Sequence, residues 1–130
     1  MAIRCVIVDD SDHFRVAARE LLEREGIRVV GLASTTADAL QRVSESRPDV
    51  TLVDIDLGEE SGFDLARQLA DAGHTDPPNV ILISTYTEKD LRELIAVSPA
   101  IAFLPKSSLS GTAIREILGG ACEEGHRDRG

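Results

Sequence analysis

Val50-Thr51-Leu52-Val53-Asp54-Ile55-Asp56-Leu57-Gly58-Glu59-Glu60-Ser61-Gly62-Phe63-Asp64 decides the fold. Its first four residues form a compact, β-rich apolar run that stops at Asp54. A loop through Glu60 follows. Ser61-Gly62-Phe63-Asp64 then opens a helix with Phe63, Ala66, Leu69 and Ala70 on one side. The unit is a strand, an acidic stop, a loop and a helix.

The same unit recurs on both sides. Upstream, Ile3-Arg4-Cys5-Val6-Ile7-Val8 ends in Asp9-Asp10-Ser11-Asp12. Phe14, Ala17, Ala18, Leu21 and Leu22 then follow helical spacing until Gly26. Residues 27–33 read as a second strand, and Thr35-Thr36-Ala37-Asp38 begins a helix with a capping-box pattern that ends before Pro48. Downstream, Val80-Ile81-Leu82-Ile83 ends in Ser84-Thr85, and a short helix spans about Lys89–Val97. Ile101-Ala102-Phe103-Leu104 leads through Pro105 to Lys106, and a last helix stops before Gly119-Gly120. One domain over residues 1–120 is expected, with 121–130 a polar tail that frays.

Five apolar strands alternating with five helices imply an α/β fold, a (βα)5 parallel sheet covered on both faces and doubly wound. Such sheets bind ligands beyond the carboxyl ends of their strands. Asp9, Asp10, Asp54, Ser84 and Lys106 all stand there. Two unit charges about 4 Å apart repel by roughly 4 kcal/mol at an effective dielectric of 20. Gathered acids therefore need a cation. Oxygen-only ligands favour a hard divalent ion, and few ligands with retained waters favour Mg²⁺. With Lys106 as a fixed positive charge and Ser84 as a hydroxyl donor, the rim suits a phosphoryl group. Singly, each acid would be an ordinary turn or cap residue.

Composition narrows the partners. The chain has 14 Lys and Arg against 23 Asp and Glu, a net charge of −9, and 3% aromatic residues. That surface repels phosphate backbones and lacks stacking platforms, which argues against direct nucleic-acid binding. Val80–Ile83 is far short of the ~20 apolar residues of a membrane span, and Met1-Ala2-Ile3-Arg4-Cys5-Val6 reads as a strand without the layout expected of a signal peptide. Cys5 and Cys122 are too few for a disulfide framework or zinc site, which fits a cytoplasmic location.

Four blocks in this order resemble the receiver domains of two-component response regulators, over residues 3–118: Asp9-Asp10, Val50–Gly62, Val80–Tyr86 and Phe103-Leu104-Pro105-Lys106. The resemblance implies the flavodoxin-like strand order 2-1-3-4-5, for which a chemotaxis receiver is a standard example. It implies that Asp54 is the phosphoacceptor, and that Asp9, Asp10, Asp54 and the backbone carbonyl of Asp56 hold Mg²⁺. It gives Lys106 and Ser84 to the phosphoryl oxygens, and Ser84, Phe103 and Tyr86 to the switch. The phosphodonor would be a histidine kinase or a histidine phosphotransfer protein. A downstream protein or a missing output domain would receive the signal, and a second copy could pair through the face of helix four, strand five and helix five. The Ser84-Thr85-Tyr86 ending resembles receivers that precede DNA-binding output domains. The chain would be a signalling switch, not an enzyme, with autodephosphorylation making the signal transient.

Three sites depart from the family pattern. Gly58 stands where proline is common, with acidic Glu59-Glu60 after it that could weaken anion approach; Ser107 replaces the proline after the lysine; and Ser98-Pro99 replaces the usual Ala-Gly step. Two other functions stay open. A haloacid-dehalogenase-type phosphatase would use Asp54 and Asp56, but would need metal acids after Lys106, where only Glu123, Glu124 and Asp128 stand. A pseudo-receiver would use the fold for binding alone.

Overall fold

The computed structural model describes residues 2–71, 79–85 and 88–123. Its main sheet has five parallel strands: β1 (Arg4–Val8), β2 (Arg28–Ala33), β3 (Val50–Asp54), β4 (Asn79–Ser84) and β5 (Ala102–Pro105). They lie in the order β2-β1-β3-β4-β5, as expected for the doubly wound arrangement. Around them run α1 (Asp12–Arg24), α2 (Thr36–Ser46), α3 (Gly62–Ala70), α4 (Glu88–Ala96) and α5 (Gly111–Glu123).

Alternation along the strands divides the core in two. Cys5, Ile7, Val50, Leu52, Ile81 and Ile83 face Ala18 and Leu22 of α1 and Ile114 and Leu118 of α5. On the other side Val6, Val8, Val53, Val80 and Leu82 meet Ala39 and Val43 of α2 and Leu65, Ala66 and Leu69 of α3. Successive side chains of a strand point to opposite faces, so a strand covered on both sides is largely apolar. Burial pushes the Cys5 thiol up to about 12, which makes it an inert core residue.

Helix ends follow local chemistry. Ser11, Thr35 and Ser61 each stand as N-cap and accept a backbone N–H, from Phe14, Asp38 and Phe63 respectively. Gly26, at φ +91°, turns the chain after α1, and left-handed Arg47 ends α2 before Pro48.

Three details differ from expectation. Residues 56–61 do not form a plain loop: Asp56–Leu57 and Glu60–Ser61 make a two-residue antiparallel ladder around Gly58, whose φ is +77°. Only glycine takes that conformation without strain, which is why proline is absent there. Helix α5 continues through Gly119-Gly120 to Glu123, since a helical glycine costs only about 1 kcal/mol relative to alanine. Glu60 is not a loose loop charge: its carboxylate accepts the N–H of Thr36 at 2.7 Å and completes the cap of α2.

Gly62 links this ladder to β3. Its N–H donates to Ile55 O at 2.9 Å, and a Cβ would lie 2.1 Å from the carbonyl oxygen of Asp54 and 2.7 Å from Cα of Ile55. The obstacle is backbone, so it cannot rotate away. We expect Gly62→Ala to destabilise the fold by about 3 kcal/mol or more, beyond ordinary overpacking. Urea denaturation measures this directly, and a loss below about 1 kcal/mol would contradict the close approach.

Candidate functional site

Every residue of the site begins where a strand of the central sheet stops. Asp9 continues β1, because its N–H donates to Ala33 O at 3.0 Å, and its side chain is fully buried. Its Oδ1 accepts the N–H of Ser11 at 2.8 Å, and its carbonyl accepts from Arg15 Nη1 at 2.5 Å. Asp10, one residue on, is exposed. Asp54 ends β3 and is buried, and its Oδ1 accepts the N–H of Asp56 at 3.2 Å. Ser84 ends β4 and is buried, one register step beyond the Asp54–Ile83 pair. Lys106 follows β5 and opens a single 3₁₀ turn, Lys106–Ser108.

These residues converge. Lys106 Nζ lies 2.6 Å from Asp9 Oδ2 and 3.2 Å from Asp54 Oδ2, with its side chain 16% exposed. The ammonium also sits over the ring of Phe14, 4.3 Å from its centroid. Asp9, Asp10 and Asp54 each offer one carboxylate oxygen, and the three oxygens lie within 4.8 Å of one another. Asp9 Oδ2 meets Lys106 off the hydrogen-bond direction, as a bare ion pair, and no other donor reaches it among the described residues.

The charge count is unbalanced. Three carboxylates share one ammonium at separations where like charges repel by roughly 4 kcal/mol per pair. Burial pushes the Asp54 carboxyl up to about 6; the Asp56 N–H opposes this, the Asp9 charge adds to it, and Lys106 opposes it. For Lys106, burial pulls downward, but pairing with Asp9 and the charge of Asp54 outweigh it, so it stays protonated. A hard divalent cation fits this donor set: three clustered carboxylates, and one buried oxygen lacking a proper donor. The site could hold that ion and receive an anion beside Lys106.

The sequence-expected residues Asp9, Asp10, Asp54 and Lys106 are thus brought together. Asp56 borders them through its N–H; its own Oδ1 accepts from Gly58 N at 3.2 Å. Phe103 is half-buried and packs against the α2–α3 side of the core. Tyr86 lies outside the described residues. Phe14 escaped sequence reasoning because it falls in the apolar stripe of α1, where any large hydrophobe suffices.

Known structures place this architecture in the class of signal receivers. The fold matches a receiver domain from Methylobacillus flagellatus at TM-score 0.78 and 22% identity, over 92% of this chain and 98% of that one. A signal receiver domain from Mycobacterium tuberculosis aligns at TM-score 0.80 and 28% identity, over 92% and 98% of the two chains. The family model for the response regulator receiver domain covers residues 5–118, and the chain belongs to that family. Among curated relatives, a protein-glutamate methylesterase/protein-glutamine glutaminase from a Nocardioides species is 38% identical over 118 residues, 88% of this chain. The chain spans 32% of that protein's length, and about the same share of other curated relatives. Among the described residues, no helix is long and apolar enough to cross a membrane.

The raised Asp54 carboxyl has a consequence for stability. The folded chain keeps its proton up to about pH 6, whereas an unfolded Asp54 ionises near 3.8. Its contribution to stability is therefore full below about pH 4 and is lost as pH rises through 6. In metal-free buffer, Asp54→Asn should be more stable than wild type above pH 6, by on the order of 1–3 kcal/mol. The advantage should fade toward pH 4. Thermal melts across that range check it, and equal stability at pH 7.5 would mean Asp54 carries no burial cost.

Proposed function

We propose that this receiver takes a phosphoryl group on Asp54 from the phosphohistidine of a partner kinase or phosphotransfer protein, and thereby changes the face formed by α4, β5 and α5. The supporting observation is that Asp54 Oδ2 and Asp9 Oδ2 lie 3.2 and 2.6 Å from one ammonium, inside a cluster of three carboxylates. A carboxylate nucleophile needs no general base. An oxygen of Asp54 attacks phosphorus and the P–N bond of the donor breaks. Its electron pair returns to the imidazole, which takes a proton from solvent. Lys106 turns from Asp9 toward the phosphoryl oxygens and offsets their charge.

Mg²⁺ held by Asp9, Asp10, Asp54 and the Asp56 carbonyl would supply the remaining positive charge. The acids that gather are those preceding the lysine, the set a receiver uses. The phosphatase alternative would rest on Glu123, Glu124 and Asp128, and of these residues 124–130 lie outside the described segments. The phosphoryl group adds roughly −1.5 to −2 charges. Its oxygens draw in the Ser84 hydroxyl at the end of β4, and half-buried Phe103 on β5 follows. Phosphorylation acts by binding one of two arrangements more tightly.

The methylesterase relatives suggest how the signal is spent. A chain spanning a third of such proteins would gate an attached catalytic domain, as an alternative to a DNA-binding output or a separate partner. A cytoplasmic location goes with these readings.

Incubation with acetyl phosphate and Mg²⁺ should label the wild type with a hydroxylamine-labile group and leave Asp54→Asn unlabelled. Undiminished, hydroxylamine-resistant labelling of the mutant would place the site elsewhere. A second experiment separates acceptance from response. Ser84→Ala should still be phosphorylated, while beryllofluoride should perturb the amides of α4 and β5 in wild type and much less in the mutant. Equal perturbation in both would remove Ser84 from the route.

A further inference from the structure

We propose that Phe14 is a positioning residue for Lys106, its ring face seating the ammonium above the two buried carboxylates and so setting the rate at which Asp54 is phosphorylated. This rests on the Asp54 function given above. Phe14 lies in the first turn of α1, where its N–H is fixed by Ser11 Oγ at 3.2 Å and its side chain packs against the α1–α5 side of the core. The partly buried ring is thus held on the core side of the site. Lys106 Nζ stands 4.3 Å from the ring centroid and has Asp9 and Asp54 as its other close neighbours. Three neighbours surround an ammonium that carries three N–H bonds.

A leucine or methionine would fill the same volume beside the core. The ring adds a negative quadrupole face, which attracts the cation without bearing a charge. That difference matters because lysine is a flexible four-carbon stem that must be held to act. It also matters because Lys106 has to leave Asp9 when phosphoryl oxygens arrive. A third carboxylate would restrain it, whereas a ring face lets the ammonium pivot while staying over the site. Removing the ring leaves the carboxylates and the metal ligands untouched and loosens only the lysine.

Two readouts test this. The ε-methylene protons of Lys106 should be shifted upfield by the ring in wild type and in Phe14→Tyr, and return to ordinary values in Phe14→Leu. With acetyl phosphate and Mg²⁺, Phe14→Leu should phosphorylate about three- to tenfold more slowly, and Phe14→Tyr should recover most of the loss. In a Lys106→Met background, Phe14→Leu should have no further effect, which a merely structural role would not produce. Phe14→Met serves in place of Phe14→Leu if the latter melts early. A wild-type rate in the ring-less variant, or the same slowing in the Lys106→Met background, overturns the proposal. If wild type takes no phosphoryl group, the Asp54 function and the rate claim fall together, while the ring shift still reports the Phe14–Lys106 contact.

Discussion

Two carboxylates, Asp9 and Asp54, are buried beneath a single ammonium, and that imbalance governs the rest of the molecule. A buried charge without full compensation costs several kcal/mol, so the scaffold must hold these groups by force of packing. The central strands do this. Asp9 follows β1 and Asp54 ends β3, neighbours in the sheet that are buried on both faces. Neither acid can retreat to solvent without dragging core residues with it. The Asp54 carboxyl at about 6 registers the resulting tension. Such a site gives up stability, and a cation bound there would relieve the tension.

The strand-end arrangement was legible in the sequence because it depends on periodicity. Apolar runs of four to six residues, stopped by Asp9, Asp54, Ser84 and Lys106, place those side chains on one rim once the winding is known. The glycine eight residues after Asp54 was legible only as a pattern. Its reason, a backbone oxygen 2.1 Å from where a Cβ would stand, belongs to three-dimensional proximity. The ladder of residues 56–61 was hidden for a different reason, since two-residue strands carry too few residues for any period to show.

Glu60 and Phe14 show why composition misleads locally. Beside Glu59, Glu60 reads as an unpaired charge on the loop, yet its carboxylate is engaged by the N-terminus of α2, 24 residues away in sequence. Phe14 reads as one more apolar position of α1, yet it presents its face to Lys106, a partner 92 residues away in sequence that could not be guessed. In both cases one side chain serves two neighbours, and sequence spacing reveals only the nearer.

Helix α4 has a property that bears on evolution. None of its described residues belongs to either buried cluster; Leu94 is 52% exposed, and Val97 just beyond is 77% exposed. Substitutions on that surface therefore leave the core intact and cost little foldability. If α4 meets the partner as proposed, a lineage can duplicate such a domain, rewrite α4, and keep the acidic rim unchanged. Insulation between parallel signalling channels can then diverge faster than the chemistry they share.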